Sequence, residues 1–437
     1  MVTYRDRITL ATTLAVWLPA SAAAQAAQSV TAAASAPPTQ AVVAPLPDAL
    51  TLETATERFL RRNIAVEAAR YEVDVAERIG AGLRPRPGLT TSVENVPVSG
   101  ETAFGRLYEV SVTVAQPIEL GSRAERRLDV ADRTVALAEA RLTDVLSRRL
   151  FDLKRTYYEA LLRRALLELD RENRDNFAEL VRYNTARFEE GEVAEGDLIR
   201  VRLERARYES AVATTELAFR QAKIRLLELI GDSDYERAAS LEVGGAFASG
   251  AAVVDLATLR QAALETRPDV KIAHAEVALA ESVGRLERAR ARGEVTPFAG
   301  YRRVGVDNTI VAGVTVPLPF GNRNQEGVAR ADAQRRVAEA NLRLARARAL
   351  ADVESAFRAY ETAREQVRVY EREVLRQADE ARDIQLAAYR EGAVELFALV
   401  DAQRTRAEMR AGYFRAMLDY QTSLFQLELA TGVEIKP

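Results

Sequence analysis

From Ser122 to Glu190 the chain contains neither proline nor glycine, and its apolar residues return at heptad spacing. Leu128, Val135 and Leu142 follow by sevens, then Leu146, Leu150, Leu153 and Tyr157 by four, three and four. An unbroken helix of this length is about 100 Å long at ~1.5 Å per residue. One globular core does not need such a rod. Its entrance, QPIELGSRAERR from Gln116, has Pro117 and Gly121 ahead of Ser122, with Glu125 at capping-box spacing. The expectation is one rod over residues 122–190, capped by Ser122.

A second rod is expected over residues 322–391. VPLPFGNRNQEG leads into it, Asn322 stands three residues before Gln325, and Gly327 is its one internal glycine before AAYREG closes it. The seam runs Val353, Phe357, Tyr360, Val367, Tyr370, Val374. Pro117 and Gly121 recur as Pro317 and Gly321 at a spacing of 200, and Leu52, Ala69, Glu72, Val73 and Glu77 match Leu256, Ala273, Glu276, Val277 and Glu281 at 204. The chain therefore reads as an internal two-fold repeat, residues 50–230 and 256–432. A glycine-rich, aperiodic linker (231–255) joins the halves, and residues 433–437 form a tail.

Composition narrows the function by exclusion. The 61 basic and 64 acidic residues nearly cancel, so no strong field points to nucleic acid. There is no cysteine and one histidine, His274, which removes disulfides, zinc fingers and thiol nucleophiles. His274 stands alone in a helical stretch and reads as a packing or hydrogen-bonding residue. Met409 and Met417 share a helix face and read as packing. No phosphate-cradling loop, nucleophile elbow or metal-ligand spacing is present, so no enzyme, cofactor or metal site is expected.

In chain order, Arg5 and Arg7 precede an apolar run from Ile8 to Leu18 and small residues up to Ala24, the pattern of an export signal over residues 1–24. An Ala/Pro-rich segment follows at 25–49. Helices are expected from Leu50 to Arg62 and from Ile64 to about Leu83. Strands follow at about 89–96 and 108–115, with Val110, Val112 and Val114 opposite Ser111 and Thr113, and a turn over Pro97–Gly105. The second half repeats this with strands at about 296–304 and 309–316, where Ile310, Ala312, Val314 and Val316 share a face. Return helices at 197–230 and 396–431 lie beside the rods. Asp197 is placed to cap the first of these, and Gly191 and Gly392 sit where tight reversals need positive φ.

Four strands cannot close a membrane barrel, which needs at least about eight. Either several copies share one barrel, three giving twelve strands, or the strands form a soluble sheet packed on helices. The motifs QPIELGSR (116–123), RFEEGEVAEGDL (187–198), PLPFGNRNQEG (317–327), YREGAVELFALVDAQR (389–404) and LFQLELATG (424–432) resemble those of TolC-like outer-membrane efflux channels. The first and third point to the branch serving cobalt-zinc-cadmium-type cation efflux pumps. The resemblance spans residues 48–433, without the lipidation cysteine many members carry.

It implies a mainly α protein with transmembrane β: a homotrimer with a twelve-stranded β-barrel prolonged by a periplasmic α-helical barrel. Such a channel sits in a Gram-negative outer membrane. It passively carries substrates, here heavy-metal cations, from a periplasmic adaptor (membrane fusion protein) and an inner-membrane proton-driven pump. A general drug or type I protein-secretion channel is the alternative reading, and a periplasmic adaptor or coiled-coil scaffold the remoter one. The resemblance further assigns Glu190, Gly191, Glu192, Val193, Asp197 and Leu198, with Glu391, Gly392, Leu396 and Val400, to the tip where the adaptor docks. Asp401 is expected to line the pore.

Overall fold

The structure, a computed structural model, describes residues 49–78, 85–96, 108–248, 250, 255–318, 321 and 323–435. The expected signal segment, the Pro97–Gly105 turn and Asn322 lie outside them. The first half is β1 (Ala49–Leu50), α1 (Leu52–Arg62), α2 (Ile64–Glu77), β2 (Gly88–Glu94), β3 (Glu109–Ala115), β4 (Ile118–Glu119), α3 (Arg123–Glu189) and α4 (Glu195–Leu229). A 3-10 turn (Tyr235–Ala238) and β5 (Glu242–Val243) lead to α5 (Leu256–Thr266), α6 (Pro268–Arg290), β6 (Glu294–Val304), β7 (Asp307–Thr315), α7 (Gln325–Val369), α8 (Leu375–Arg390) and α9 (Leu396–Thr431). In both halves two helices, a strand pair, a rod and a return helix follow one another.

The rods begin differently from the capping-box expectation. Gly121 and Ser122 are both left-handed, at φ 70° and 58°, and the Ser122 side chain makes no cap hydrogen bond. Two consecutive left-handed residues turn the chain out of the strand, and that turn aims the hydroxyl away from the first amides. Arg123 secures the entry instead, donating to Glu294 at 3.3 Å and to the Arg290 carbonyl at 3.1 Å. In the second rod the N-cap is Asn324, also left-handed, whose amide donates to the Glu287 backbone at 2.9 Å.

The first rod is one helix of 67 residues. The second is not continuous α-helix: Tyr370–Val374 form a π turn between α7 and α8. The sequence contains the reason. Gly121 and Gly321 are 200 apart, but the turn glycines Gly191 and Gly392 are 201 apart. One extra residue in a helix shifts everything beyond it by about 100°, and a π turn absorbs one residue locally. The seams on both sides thus keep their phase.

Two apolar clusters hold the helices. In one, Val353, Tyr360 and Val367 of α7 pack on Met417, Tyr420, Leu424 and Leu427 of α9, with Leu259 of α5. The Tyr360 and Tyr420 rings lie 5.7 Å apart, a pair that contributes about 0.5–1.5 kcal/mol beyond area burial. The other joins Phe177 and Leu180 of α3, Val201 and Tyr208 of α4, Tyr389 of α8 and Leu396, Leu399 and Val400 of α9.

Each half also ties its return helix to its first helix pair. Asn63 accepts from the amides of Ala65 and Val66 at 3.1 and 3.2 Å, starting α2, and donates to the Leu229 carbonyl at 2.9 Å. In the second half Thr266 donates to the Thr431 carbonyl at 2.7 Å and Arg267 to that of Ala430 at 3.3 Å.

The linker is more than a connection, correcting the reading of 231–255 as an aperiodic joint. β5 pairs in parallel with β1, and Ala49 belongs to that pair rather than to the preceding segment. Side chains of the helices clamp this strap by its carbonyls. Lys223 donates to Leu241 at 3.2 Å, Tyr157 to Gly244 at 2.6 Å, Arg164 to Gly245 at 2.8 Å and Gln421 to Ala248 at 2.6 Å, while Tyr420 reaches Gly250. A run rich in glycine and alanine gives no periodic signal for such anchoring.

Gly231 has φ 71°, and a Cβ there would meet the Arg62 carbonyl oxygen at 2.4 Å. Gly231→Ala is expected to cost at least about 1–2 kcal/mol from the left-handed backbone alone and to lower the thermal unfolding midpoint. Gly196→Ala, with nothing within 4 Å of the new Cβ, should leave that midpoint unchanged or raise it.

Candidate functional site

The strands run in the order β2-β3-β6-β7, all antiparallel, and β4 lengthens the pairing with β6. Residues directly opposite in this register point to the same face. One face gathers Leu89, Val93, Val110, Val112, Val114, Tyr301, Ile310, Ala312 and Val314, continued downward by Ile118 and Val295. The expected Val110–Val114 and Ile310–Val314 alternations belong to this one surface. It is exposed in the chain: Ile310 87%, Leu89 68%, Val93 59% and Val314 58%.

The opposite face is polar, with Thr90, Ser92, Glu94, Glu109, Ser111, Thr113, Arg302 and Thr309. Ser92 and Ser111 share a hydrogen bond of 2.8 Å, and Arg302 pairs with Glu109. Phe298, on this side, lies across Gly313, leaving no space for a Cβ there (2.5 Å). The apolar face also carries Thr91, Arg303 and Asn308 and the polar one Val304 and Val311, so the sheet is two-faced mainly through its middle. The outer strands β2 and β7 have no further partner among the described residues, and an open edge of this kind is not tolerated in lipid.

The helices are arranged the same way. In one row α2 lies on α3, α3 on α6 and α6 on α7; in the other α4 lies on α3, α3 on α9 and α9 on α8. The end helices of each row carry exposed apolar residues: Ile64, Tyr71 and Val75 on α2, Val337 and Leu344 on α7, Ile199, Leu203 and Leu217 on α4, and Ile384 on α8. No helix of the described residues is long and apolar enough to cross a membrane.

The two helical turns are built alike. Gly191 and Gly392 take φ 75° and 71°. Glu192 N–H donates to the Arg187 carbonyl at 2.8 Å, and Ala393 N–H to that of Ala388 at 2.9 Å, closing both helices as Schellman-type ends. Arg187 donates to Glu192 at 2.9 Å and stacks over Tyr183 and Tyr389, and Tyr389 donates to Asn184. Arg200 lies over Phe397 at 5.6 Å. The two return helices are thus joined close to their starts, by Arg200 on Phe397 and by the Glu204–Arg404 pair.

The expected tip residues divide by exposure. Glu190, Gly191, Glu192, Glu391 and Gly392 are exposed and Val193 is half-buried, whereas Leu198, Leu396 and Val400 are 4%, 2% and 3% exposed. Those three are packed inside the chain, where heptad seams draw them inward. Asp197 does not cap α4. The N-cap is Ala194, without a side-chain bond, and Asp197 sits in the first turn, where its charge favours the helix dipole. Asp401 is exposed on α9, near Arg404. Sequence reading missed the Glu204 carboxylate, 6% exposed, which pairs with Arg404 from the other hairpin.

His274 lies next to Arg346 at 2.9 Å, and its pKa is lowered by burial and by that arginine. No group of three or more His, Cys, Asp or Glu fit for a metal occurs among the described residues.

A two-faced sheet continued by helical rods defines a membrane channel subunit. The sequence profile of the family described as outer membrane efflux protein matches residues 58–232 and 259–433. The chain belongs to this family: it is an outer-membrane efflux channel protein of Gram-negative bacteria, a transport conduit and not an enzyme.

Among relatives, it is 26% identical to the cobalt-zinc-cadmium resistance protein CzcC of Cupriavidus metallidurans, over 83% of this chain and 85% of that one. It is 28% identical to the nickel and cobalt resistance protein CnrC of the same organism, over 66% and 68%. Its fold is similar to that of the outer membrane protein VceC of Vibrio cholerae, with a TM-score of 0.72 at 17% identity over 88% and 97% of the chains.

A charge on the outward face should be costly. Val112→Lys is expected to weaken folding into lipid vesicles by about 2–4 kcal/mol if it lies near the bilayer centre, read from urea-dependent insertion. Thr113→Lys, one residue along but on the polar face, should shift that midpoint much less.

Proposed function

We propose that three copies close into a ring, giving a twelve-stranded barrel continued by a tube of helices, and that this tube exports heavy-metal cations. The observation that carries the ring is the threefold coincidence of open ends: β2 and β7 in the sheet, α2 and α7 in one helical row, α4 and α8 in the other. Setting β7 of one copy beside β2 of the next satisfies both edges. The same step brings the exposed stripe of α7 to that of α2, and α8 to α4. Two copies would give eight strands, a barrel whose interior side chains fill, whereas three give twelve and room for a water-filled passage.

Because the chain lacks cysteine, Ile199→Cys with Ile384→Cys tests the ring cleanly. Oxidation should yield covalent trimers on a denaturing gel. A ladder ending at dimer or running past trimer would refute the closure.

The cargo reading rests on the two metal-resistance relatives. In this reading the conduit is powered by a proton-driven inner-membrane pump through a periplasmic adaptor. The adaptor then meets the exposed turn residues Glu190–Glu192, Glu391 and Gly392. Removal of the protein should sensitise its host to cobalt, zinc or cadmium more than to dyes and detergents; the reverse pattern favours a general drug channel. Asp401 is assigned to the lumen, so Asp401→Ala should lower cation-over-anion selectivity in reconstituted channels, measured as a reversal potential in asymmetric salt.

A further inference from the structure

At the end of the sheet away from the helices, charge is sorted by face. The carboxylates of Glu94, Glu109 and Asp307 all lie in one row of the register with Val304, on the polar face. Arg302 shares that face and pairs with Glu109. Its neighbour Arg303 points the other way, into the outward row Val93, Val110, Arg303 and Asn308.

Arg303 is the last outward residue of β6 before the turn at Gly305 and Val306 that leads to β7. Counted from Val295, the first outward apolar residue of β6, it stands eight residues along. For a strand tilted by ~45° that is a rise of about 19 Å. The apolar band of an outer-membrane barrel is about 25 Å tall, and a long arginine stem carries its charged head on to the interface. The guanidinium therefore belongs to the headgroup layer of the outer leaflet.

Its neighbours fit that level. Arg303 lies over the Tyr108 ring, 5.9 Å from its centre, and Tyr301 stands one outward row lower, its hydroxyl donating to Asn308. Tyrosines at this height are the interfacial girdle of a membrane barrel.

The same row holds donors without acceptors. Arg303 Nε donates to the Gly305 carbonyl at 3.1 Å, which fixes the side chain, while its two terminal nitrogens have no hydrogen-bond partner among the described residues. Asn308, directly opposite in the register, accepts from Tyr301 through Oδ1 and keeps its NH2 group unengaged among those residues. Val93 and Val110 complete the row, so it contains no carboxylate. A guanidinium edge beside an amide donor suits phosphate oxygens, which arginine binds through two parallel hydrogen bonds.

We propose that Arg303 and Asn308 form a site for a phosphate of an outer-leaflet lipid, of the kind lipid A carries in Gram-negative outer membranes. One such site on each copy sets the height of the sheet in the bilayer. The site rests on the reading of the sheet as a membrane wall with the helices on the periplasmic side, and adds a lipid partner to it.

Native mass spectrometry of the full-length protein in detergent, titrated with diphosphoryl lipid A, tests the site. The unmodified protein should retain the lipid, and Arg303→Gln should bind it about fivefold more weakly, the loss of one basic contact at a charged lipid surface. Arg303→Lys should keep most of the binding. Asn308→Asp, isosteric and still able to accept from Tyr301, should weaken it by adding a negative charge beside the phosphate. Arg302→Gln, on the inner face, should leave it unchanged.

Equal binding by the unmodified protein and Arg303→Gln, or an equal loss from Arg302→Gln, would overturn the site. Displacement of lipid A by a millimolar excess of inorganic phosphate would overturn the lipid as occupant and leave a free-anion site. If Arg303→Gln fails to assemble, Asn308→Asp decides alone. Covalent trimers through Ile199→Cys and Ile384→Cys report the ring separately: trimers that bind no lipid A refute this site and leave the ring standing.

Discussion

Every main-chain amide and carbonyl placed in lipid needs a partner inside the protein, and this requirement shapes the chain from its strands outward. Pairing β3 with β6 brings together strands from the two halves and satisfies two of the four strands completely. It leaves the deficit at β2 and β7, the ends of the row. The helical rows have their open ends in the same two parts of the chain, α2 beside β2 in sequence and α7 after β7. Among the described residues the rows of helices end as the row of strands does, and the proposed ring is what would cover both flanks.

Charge plays a smaller part than its abundance suggests. Many arginines pair with acids three or four residues away on an exposed helix face, as Arg205 does with Glu209 and Arg376 with Glu380. Such pairs contribute a few tenths of a kcal/mol each and chiefly keep the rods soluble. The ionic contacts that discriminate between arrangements are those joining different helices, such as Arg404 with Glu204 and Arg406 with Glu172. Each connects the first hairpin to the second, and a wrong rotation of either rod would leave a buried charge alone.

The fold was legible in the sequence wherever periodicity carries it. The seams Val353–Tyr360–Val367 and Val201–Tyr208 are buried as their spacing implies, and α9 begins and ends at Leu396 and Thr431. What escaped notice depends on contacts distant in sequence or on backbone handedness. Ser122 looks like a cap until the left-handed turn redirects it, and Leu198, Leu396 and Val400 look like tip surface until the opposing hairpin covers them. The π turn was recoverable from the change of spacing between Gly121/Gly321 and Gly191/Gly392, a signal that needs glycines at both ends of the rod to be compared. The pairing of β1 with β5 had no such signal, since two residues on each side make the whole ladder.

The strap between the halves is held mainly by its main chain. Lys223, Tyr157, Arg164, Tyr420 and Gln421 all grip carbonyl oxygens, and any amino acid supplies a carbonyl. Side chains add to the hold where Ala238, Leu241 and Val243 are buried and Phe247 packs on Tyr158, so the main-chain grip is tolerant of residue changes only between these positions. The attachment then depends on the gripping side chains in the helices more than on the residues they hold.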